Sequence, residues 1–247
     1  MIKCSSCETV QEPRLLCAKC GAPTGAALDL FAALGLPRKL SIDSARLEQL
    51  YHDLGRRIHP DRFANGATNL RDASLRGTAL LTRAYRTLRD PVSRGLCWLE
   101  LNGHKLAENN KSVPADLAEM VFEVQEQLAD LREARGGGGT EADRLRAGIE
   151  DRRVALHCAI EAAQQELAQN FARWDALSDA PGVQSNARPN THGGPSDAPP
   201  DMQGVQSDAA GERDSLVAEL KSILSKIAYL RTLIRDIGRE LDSAQAA

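Results

Sequence analysis

Between about residues 213 and 243, Leu216, Leu220, Ile223, Ile227, Leu230, Ile234, Ile237 and Leu241 succeed one another in alternating steps of four and three. That spacing draws a single apolar seam down one side of a long helix. A seam so narrow cannot be buried by the helix itself, so it requires other helices against it. Two upstream stretches supply the partners. Leu117, Met120, Val121, Val124, Leu128 and Leu131 form one stripe, and Ile149, Leu156, Ile160, Leu167, Phe171 and Trp174 form another. A glycine run at Gly136–Gly139 separates these two, and a long polar stretch precedes the last helix. The pattern predicts an antiparallel three-helix bundle.

The remainder of the chain is also helical in character. Only 4% of its residues are aromatic while 42% are hydrophobic, and Ala, Leu, Arg and Glu are abundant. Composition separates four zones: residues 1–24, which hold four of the six cysteines; residues 28–95; residues 96–176 with 213–247; and residues 178–212. The last of these is rich in Ser, Asp, Gly, Pro and Asn and reads as a flexible low-complexity insertion. Within it Gly182-Val183-Gln184-Ser185 recurs as Gly204-Val205-Gln206-Ser207, a small echo and not a repeat unit. The expected fold class is all-α, a helical hairpin followed by the bundle, with a small N-terminal metal module.

Charge divides the chain further. Residues 29–95 carry 12 Lys or Arg against 7 Asp or Glu, whereas residues 96–247 carry 16 against 25. Two different partner surfaces are the natural reading. The basic excess is too small to favour nucleic acid. No apolar run approaches the roughly 20 residues that cross a bilayer, and no leader is expected before Cys4, so the expectation is a cytoplasmic protein with no membrane partner.

Cys4-x-x-Cys7 and Cys17-x-x-Cys20 are two thiolate pairs, and Gly21 follows the second directly. Each pair can curl around one side of an ion, and four soft ligands in tetrahedral reach favour Zn²⁺ in a closed structural site. A redox dithiol or an iron–sulfur centre is the competing chemistry. Cys97 and Cys158 fall in helical stretches and are expected to be buried thiols without a role. His52, His104, His157 and His192 share no ligand spacing, which argues against a histidine-based catalytic site.

A helix over about 43–58, capped by Asp43 or Ser41, places Leu47, Leu50, Tyr51, Leu54 and Ile58 on one face. Pro60 ends it by forcing His59 out of helical geometry. A second helix over about 71–89 buries Leu81, Tyr85 and Leu88 and stops at Asp90-Pro91. His59, Pro60 and Asp61 are therefore expected at an exposed tip between two packed helices, flanked by Arg56, Arg57 and Arg62. Residues 43–62 hold four arginines against four acidic residues, so the first helix of the pair is not strongly basic. Farther along, Phe122 lies off the core stripe of its helix beside Glu119, Glu123 and Glu126. An aromatic ringed by carboxylates suits a partner-binding spot, with a solvated face and a widened core as the plain alternative.

Leu28-Asp29-Leu30-Phe31, Leu34-Gly35-Leu36, His59-Pro60-Asp61 and Ala84-Tyr85-Arg86-Thr87-Leu88-Arg89-Asp90-Pro91 together resemble a J domain. The continuation Arg94-Gly95-Leu96-Cys97-Trp98-Leu99-Glu100-Leu101-Asn102-Gly103 narrows the resemblance to the HscB (Jac-type) co-chaperones of iron–sulfur cluster biogenesis. It covers residues 28–131 well and the last helix more loosely, and four-cysteine N-terminal modules occur on some members. The resemblance implies that His59, Pro60 and Asp61 contact a DnaK/HscA-type ATPase chaperone and trigger its hydrolysis. It also implies that the bundle binds an IscU-type scaffold protein through Met120, Phe122, Glu123, Glu126 and, on the last helix, Tyr229. Such a protein activates a partner's ATPase and is not itself an enzyme. A general J-domain co-chaperone for unfolded chains is the first alternative. A dithiol redox or metal-carrier protein using Cys4, Cys7, Cys17 and Cys20 is the second.

Overall fold

The computed structural model describes residues 1–106, 117–134, 140–179 and 201–245, with the side chains of 201–210 and 244–245 excepted. It divides into two compact units, Met1–Gly103 and His104–Ala247.

In the first unit, strands β1 (Ile2–Lys3) and β2 (Val10–Gln11) pair antiparallel, Ile2 opposite Gln11 and Lys3 opposite Val10. Four helices follow: α1 (Leu30–Leu34), α2 (Ser44–Ile58), α3 (Thr68–Arg89) and α4 (Pro91–Leu101). Their boundaries are set by caps. Asp29 accepts the Ala32 N–H at 2.8 Å, and Gly35 closes α1 in the left-handed region at φ 70°. Of the two candidate caps for α2, Asp43 performs the role, accepting the Arg46 N–H at 2.9 Å. Asp90 caps α4 by accepting the Ser93 N–H, also at 2.9 Å, with Pro91 at the first helical position. Thus Asp90-Pro91 ends one helix and starts the next. As a result residues 96–103, grouped by composition with the second domain, lie in the first unit, where Trp98 and Leu99 are buried.

α2 and α3 form a hairpin, and α1 and α4 both pack on α3. Leu47, Ile58, Leu81, Ala84 and Leu88 are buried; Leu50, Tyr51, Leu54 and Tyr85 are half-buried. Tyr51 and Tyr85 stack across the hairpin with ring centroids 4.3 Å apart and planes 13° from parallel. Arg94, buried, reaches back to donate to the Leu88 carbonyl at 2.9 Å, satisfying one of the open carbonyls at the end of α3.

Among its described residues the second unit has three helices: α5 (Ala118–Ala134), α6 (Thr140–Asp179) and α7 (Asp201–Gln245). Asn170 of α6 donates to the Leu216 carbonyl and Arg173 pairs with Glu219 at 2.9 Å, while Arg132 of α5 pairs with Glu240 at 2.6 Å. These cross-links set α6 antiparallel to α7 and α5 parallel to it, an up-down-up bundle. Its core joins Leu117, Val121, Val124, Leu128 and Leu131 with Ile149, Leu156, Leu230, Leu233 and Ile237. The seam on α7 is wider than its sequence spacing: Val217, Leu224 and Leu233 are buried while Ile223, Ile234 and Leu241 are half-buried. A helix that packs on two neighbours must bury both flanks of its stripe.

α7 begins at Asp201, ahead of the start expected near 213. In sequence this follows Pro199-Pro200, which cannot continue a helix but can precede one. The glycine run, residues 180–200 and the start expected near Pro114 lie outside the described residues. Cys97 is half-buried, but Cys158 is exposed, contrary to expectation. It sits two residues, about 200° round the helix, from buried Leu156.

Candidate functional site

His59 leaves α2 with φ −51° and ψ 132°, and Pro60 starts a single 3₁₀ turn, Pro60–Phe63. The turn is held by its own residues. Asp61 N–H donates to His59 Nδ1 at 3.3 Å, Arg62 N–H donates to the His59 carbonyl at 3.0 Å, and Asp61 Oδ2 lies 3.4 Å from the same ring nitrogen. The two side chains remain outward, His59 57% and Asp61 89% exposed. The sequence expectation of a tip between two packed helices describes this geometry. Arg57 and Arg62 are exposed beside it. Arg56 is paired with Asp53 along α2, an exposed pair of the kind that contributes little to stability and can be exchanged for another partner.

Two residues that sequence reasoning passed over fix the stem. Ser74, fully buried on α3, donates its hydroxyl to the Ile58 carbonyl at 2.5 Å. That carbonyl is at the end of α2, where Pro60 offers no N–H and Arg62 N–H goes elsewhere, so Ser74 meets a buried acceptor's need. At Gly77, an added Cβ would lie 2.3 Å from Ile58 Cδ1 and 3.4 Å from Leu15 Cδ1. The absence of a side chain there lets α3 approach the end of α2. A signal was available: Ala73, Ser74, Gly77 and Ala84 place small residues on the buried face of α3.

At the N-terminus the four cysteines converge, all four Sγ atoms lying within 4.8 Å of one another. Cys4–Cys20 and Cys7–Cys17 are each 3.7 Å apart. The two Cys-x-x-Cys loops repeat one backbone design. Glu8 and Gly21, each just after the second cysteine, adopt positive φ (57° and 72°) and donate their N–H to the carbonyl of the first, Cys4 or Cys17. Cys4 N–H bonds the Thr9 carbonyl and Cys17 N–H the Ala22 carbonyl in the same manner. Ser6 N–H points at Cys4 Sγ, 3.4 Å away, a donor suited to a thiolate. The hydrogen bond to Thr9 brings the Cys7 thiol down to about 6. At Cys20 the Ala22 N–H favours the thiolate, but desolvation and the three neighbouring sulfurs push its thiol up to about 12. Sulfurs this close oppose joint ionisation unless a cation lies among them, and the four can hold a metal ion.

On α5, Phe122 is 70% exposed, with Glu119 and Glu126 exposed one turn to either side. Glu123 is committed to Arg152 of α6 at 2.7 Å. Met120 packs against the bundle core and so does Tyr229 of α7, whose hydroxyl is pushed up by burial and by nearby Asp236. Phe122, Glu119 and Glu126 therefore form the outward patch. Met120 and Tyr229 are half-buried supports at its base helices, because their positions border the stripe that the bundle buries.

No family model matches the chain. Among solved structures, it is similar to the crystal structure of the human co-chaperone protein HscB, with 23% identity over 96% of this chain and 97% of that one, at a TM-score of 0.57. It also aligns with chaperone HscB from Vibrio cholerae, at 22% identity over 86% of this chain and 99% of that one, with a TM-score of 0.48. With its helical hairpin, cysteine module and three-helix unit, the chain has the fold of the human HscB structure.

Proposed function

We propose that this protein is a co-chaperone of the HscB type, which stimulates the ATPase of a DnaK/HscA-type chaperone and delivers to it an IscU-type scaffold carrying an iron–sulfur cluster. The observation that carries the reading is the His59-Pro60-Asp61 tip, exposed at its side chains and rigid at its stem. A tip already ordered loses little conformational freedom on docking. The Asp61 carboxylate, exposed beside His59, can accept a bidentate pair from an arginine of the chaperone, and Arg57 and Arg62 meet acidic surface beside it. The chain supplies no chemistry of its own: it selects the chaperone state in which hydrolysis proceeds.

The scaffold binds at the Phe122 patch. There the ring supplies burial while Glu119 and Glu126 steer the encounter, a better match to one folded partner than to varied unfolded chains. The cysteine cluster holds Zn²⁺. A tetrahedron with Zn–S bonds of about 2.3 Å has edges of about 3.8 Å, and two of the sulfur pairs are 3.7 Å apart. Bound there, zinc would act as a structural cross-link between the two loops. No helix among the described residues is long and apolar enough to cross a membrane, and the reading places the protein in the cytoplasm.

The test combines purified protein, chaperone, scaffold and ATP. His59→Gln should abolish ATPase stimulation while scaffold binding, followed by calorimetry, stays unchanged. Stimulation that survives the substitution would remove the tip from the mechanism.

A further inference from the structure

The cysteine module and the exposed tip are not independent parts. Around the sulfurs Cys4, Cys17 and Ala22 form a small buried cluster, with Cys7 and Leu70 packed on it. Leu70 belongs to α3, in the first turn after the tip. Leu15, buried at the other end of the module, lies against the Gly77 position, which is itself against Ile58. Ile58 is the last residue of α2 before His59. The module therefore meets α3 at two places, at Leu70 in its first turn and, through Leu15, at Gly77, where Ile58 of the other stem also packs.

The Leu70 contact is placed where the hairpin has least of its own to rely on. The N-terminus of α3 has Ala67 at the cap position and no side-chain hydrogen bond there. An uncapped helix start frays unless packing holds it. The module in turn has two strands of two residues each and, besides its cysteines, buries few apolar residues, Leu15, Leu16, Ala22 and Pro23. So little apolar surface cannot hold a fold without a metal, and the binding energy of the ion is the folding energy of such a module.

We infer that Leu70 and Leu15 are positioning residues through which the metal-bound cysteine module braces the His59–Asp61 tip. Metal occupancy then sets how well the tip is ordered. The consequence for chaperone stimulation rests on the function proposed above; the mechanical coupling does not.

The experiment is amide hydrogen exchange, read by mass spectrometry, on the full chain loaded with zinc and on the same chain stripped by a chelator. Exchange in residues 59–71 should rise roughly tenfold on stripping, as expected when a locally packed segment opens, while peptides from α6 are unchanged. In the zinc-loaded protein Leu70→Ala should produce a similar rise. Leu70→Met should restore protection, and Leu75→Ala, on the exposed side of the same helix, should have no effect. Leu15→Ala, measured alongside, keeps the test open should Leu70→Ala fold poorly. In the ATPase assay Leu70→Ala should raise the concentration needed for half-maximal stimulation severalfold with little change in the maximum. Equal exchange in the loaded and stripped chains would overturn the inference. So would undisturbed protection in both the Leu70→Ala and Leu15→Ala variants. Absence of stimulation by the unmodified protein would instead defeat the co-chaperone reading and leave the exchange result to decide the coupling.

Discussion

Replacing Ser74 by alanine removes one hydroxyl from a fully buried position and leaves the Ile58 carbonyl with no donor. An unsatisfied buried acceptor costs about 1–3 kcal/mol. Alanine returns about 0.5 kcal/mol in helix propensity relative to serine, so the net loss should be about 0.5–2.5 kcal/mol. For a unit of this size each kcal/mol moves the melting point by roughly 4–8 °C. Trp98 is buried in the first unit and Trp174 belongs to the second. In a Trp174→Phe background, fluorescence then follows the first unit alone. Urea titrations of the two proteins at matched pH give the difference directly. A change smaller than about 0.5 kcal/mol, the ordinary range for inconsequential surface substitutions, would show that the hydroxyl does not hold the end of α2.

Other substitutions separate stability from function. Leu230→Ala, at a fully buried bundle position, should cost about 2–5 kcal/mol in the second unit, measured by the Trp174 transition in a Trp98→Phe background. Phe122→Ala should leave that transition within about 0.5 kcal/mol because the ring is exposed, yet weaken scaffold binding by at least about 1.4 kcal/mol, or tenfold, in calorimetry. Asp29 gives a pH prediction. Burial raises its carboxyl, but the Ala32 N–H and Arg38 outweigh that and hold it below the ordinary carboxylate value. A depressed folded-state value means that the contribution is complete above the unfolded-state value of about 3.9 and is lost as pH falls below it. Asp29→Asn should therefore flatten the acid limb of first-unit stability, and an unchanged limb would remove Asp29 from the account.

What could be read in the sequence is what short-range chemistry writes there. Pro60 restricts its own backbone and that of His59, so the tip was visible before any fold. Cys-x-x-Cys pairs announce a metal site because both ligands of each pair come from one turn. The bundle followed from apolar spacing on three helices. The parts that stayed hidden depend on tertiary contact. Val217, Leu224 and Leu233 join the core because α7 faces two helices at once, which a single seam does not reveal. Ser74 and Gly77 matter only because α3 lies against the end of α2. Leu70 looks like any helical leucine until the cysteine module is found on top of it. Likewise the partnership of Glu123 with Arg152 joins two helices and cannot be seen in the spacing of Glu119, Glu123 and Glu126.

The most direct measurement is the steady-state ATPase rate of a purified DnaK/HscA-type chaperone with its scaffold, titrated with the unmodified protein and with Asp61→Asn. The rate should rise saturably with the unmodified protein and stay flat with the variant, whose side chain keeps its shape but loses the charge a partner arginine would grip. Equal stimulation by both proteins would contradict this expectation.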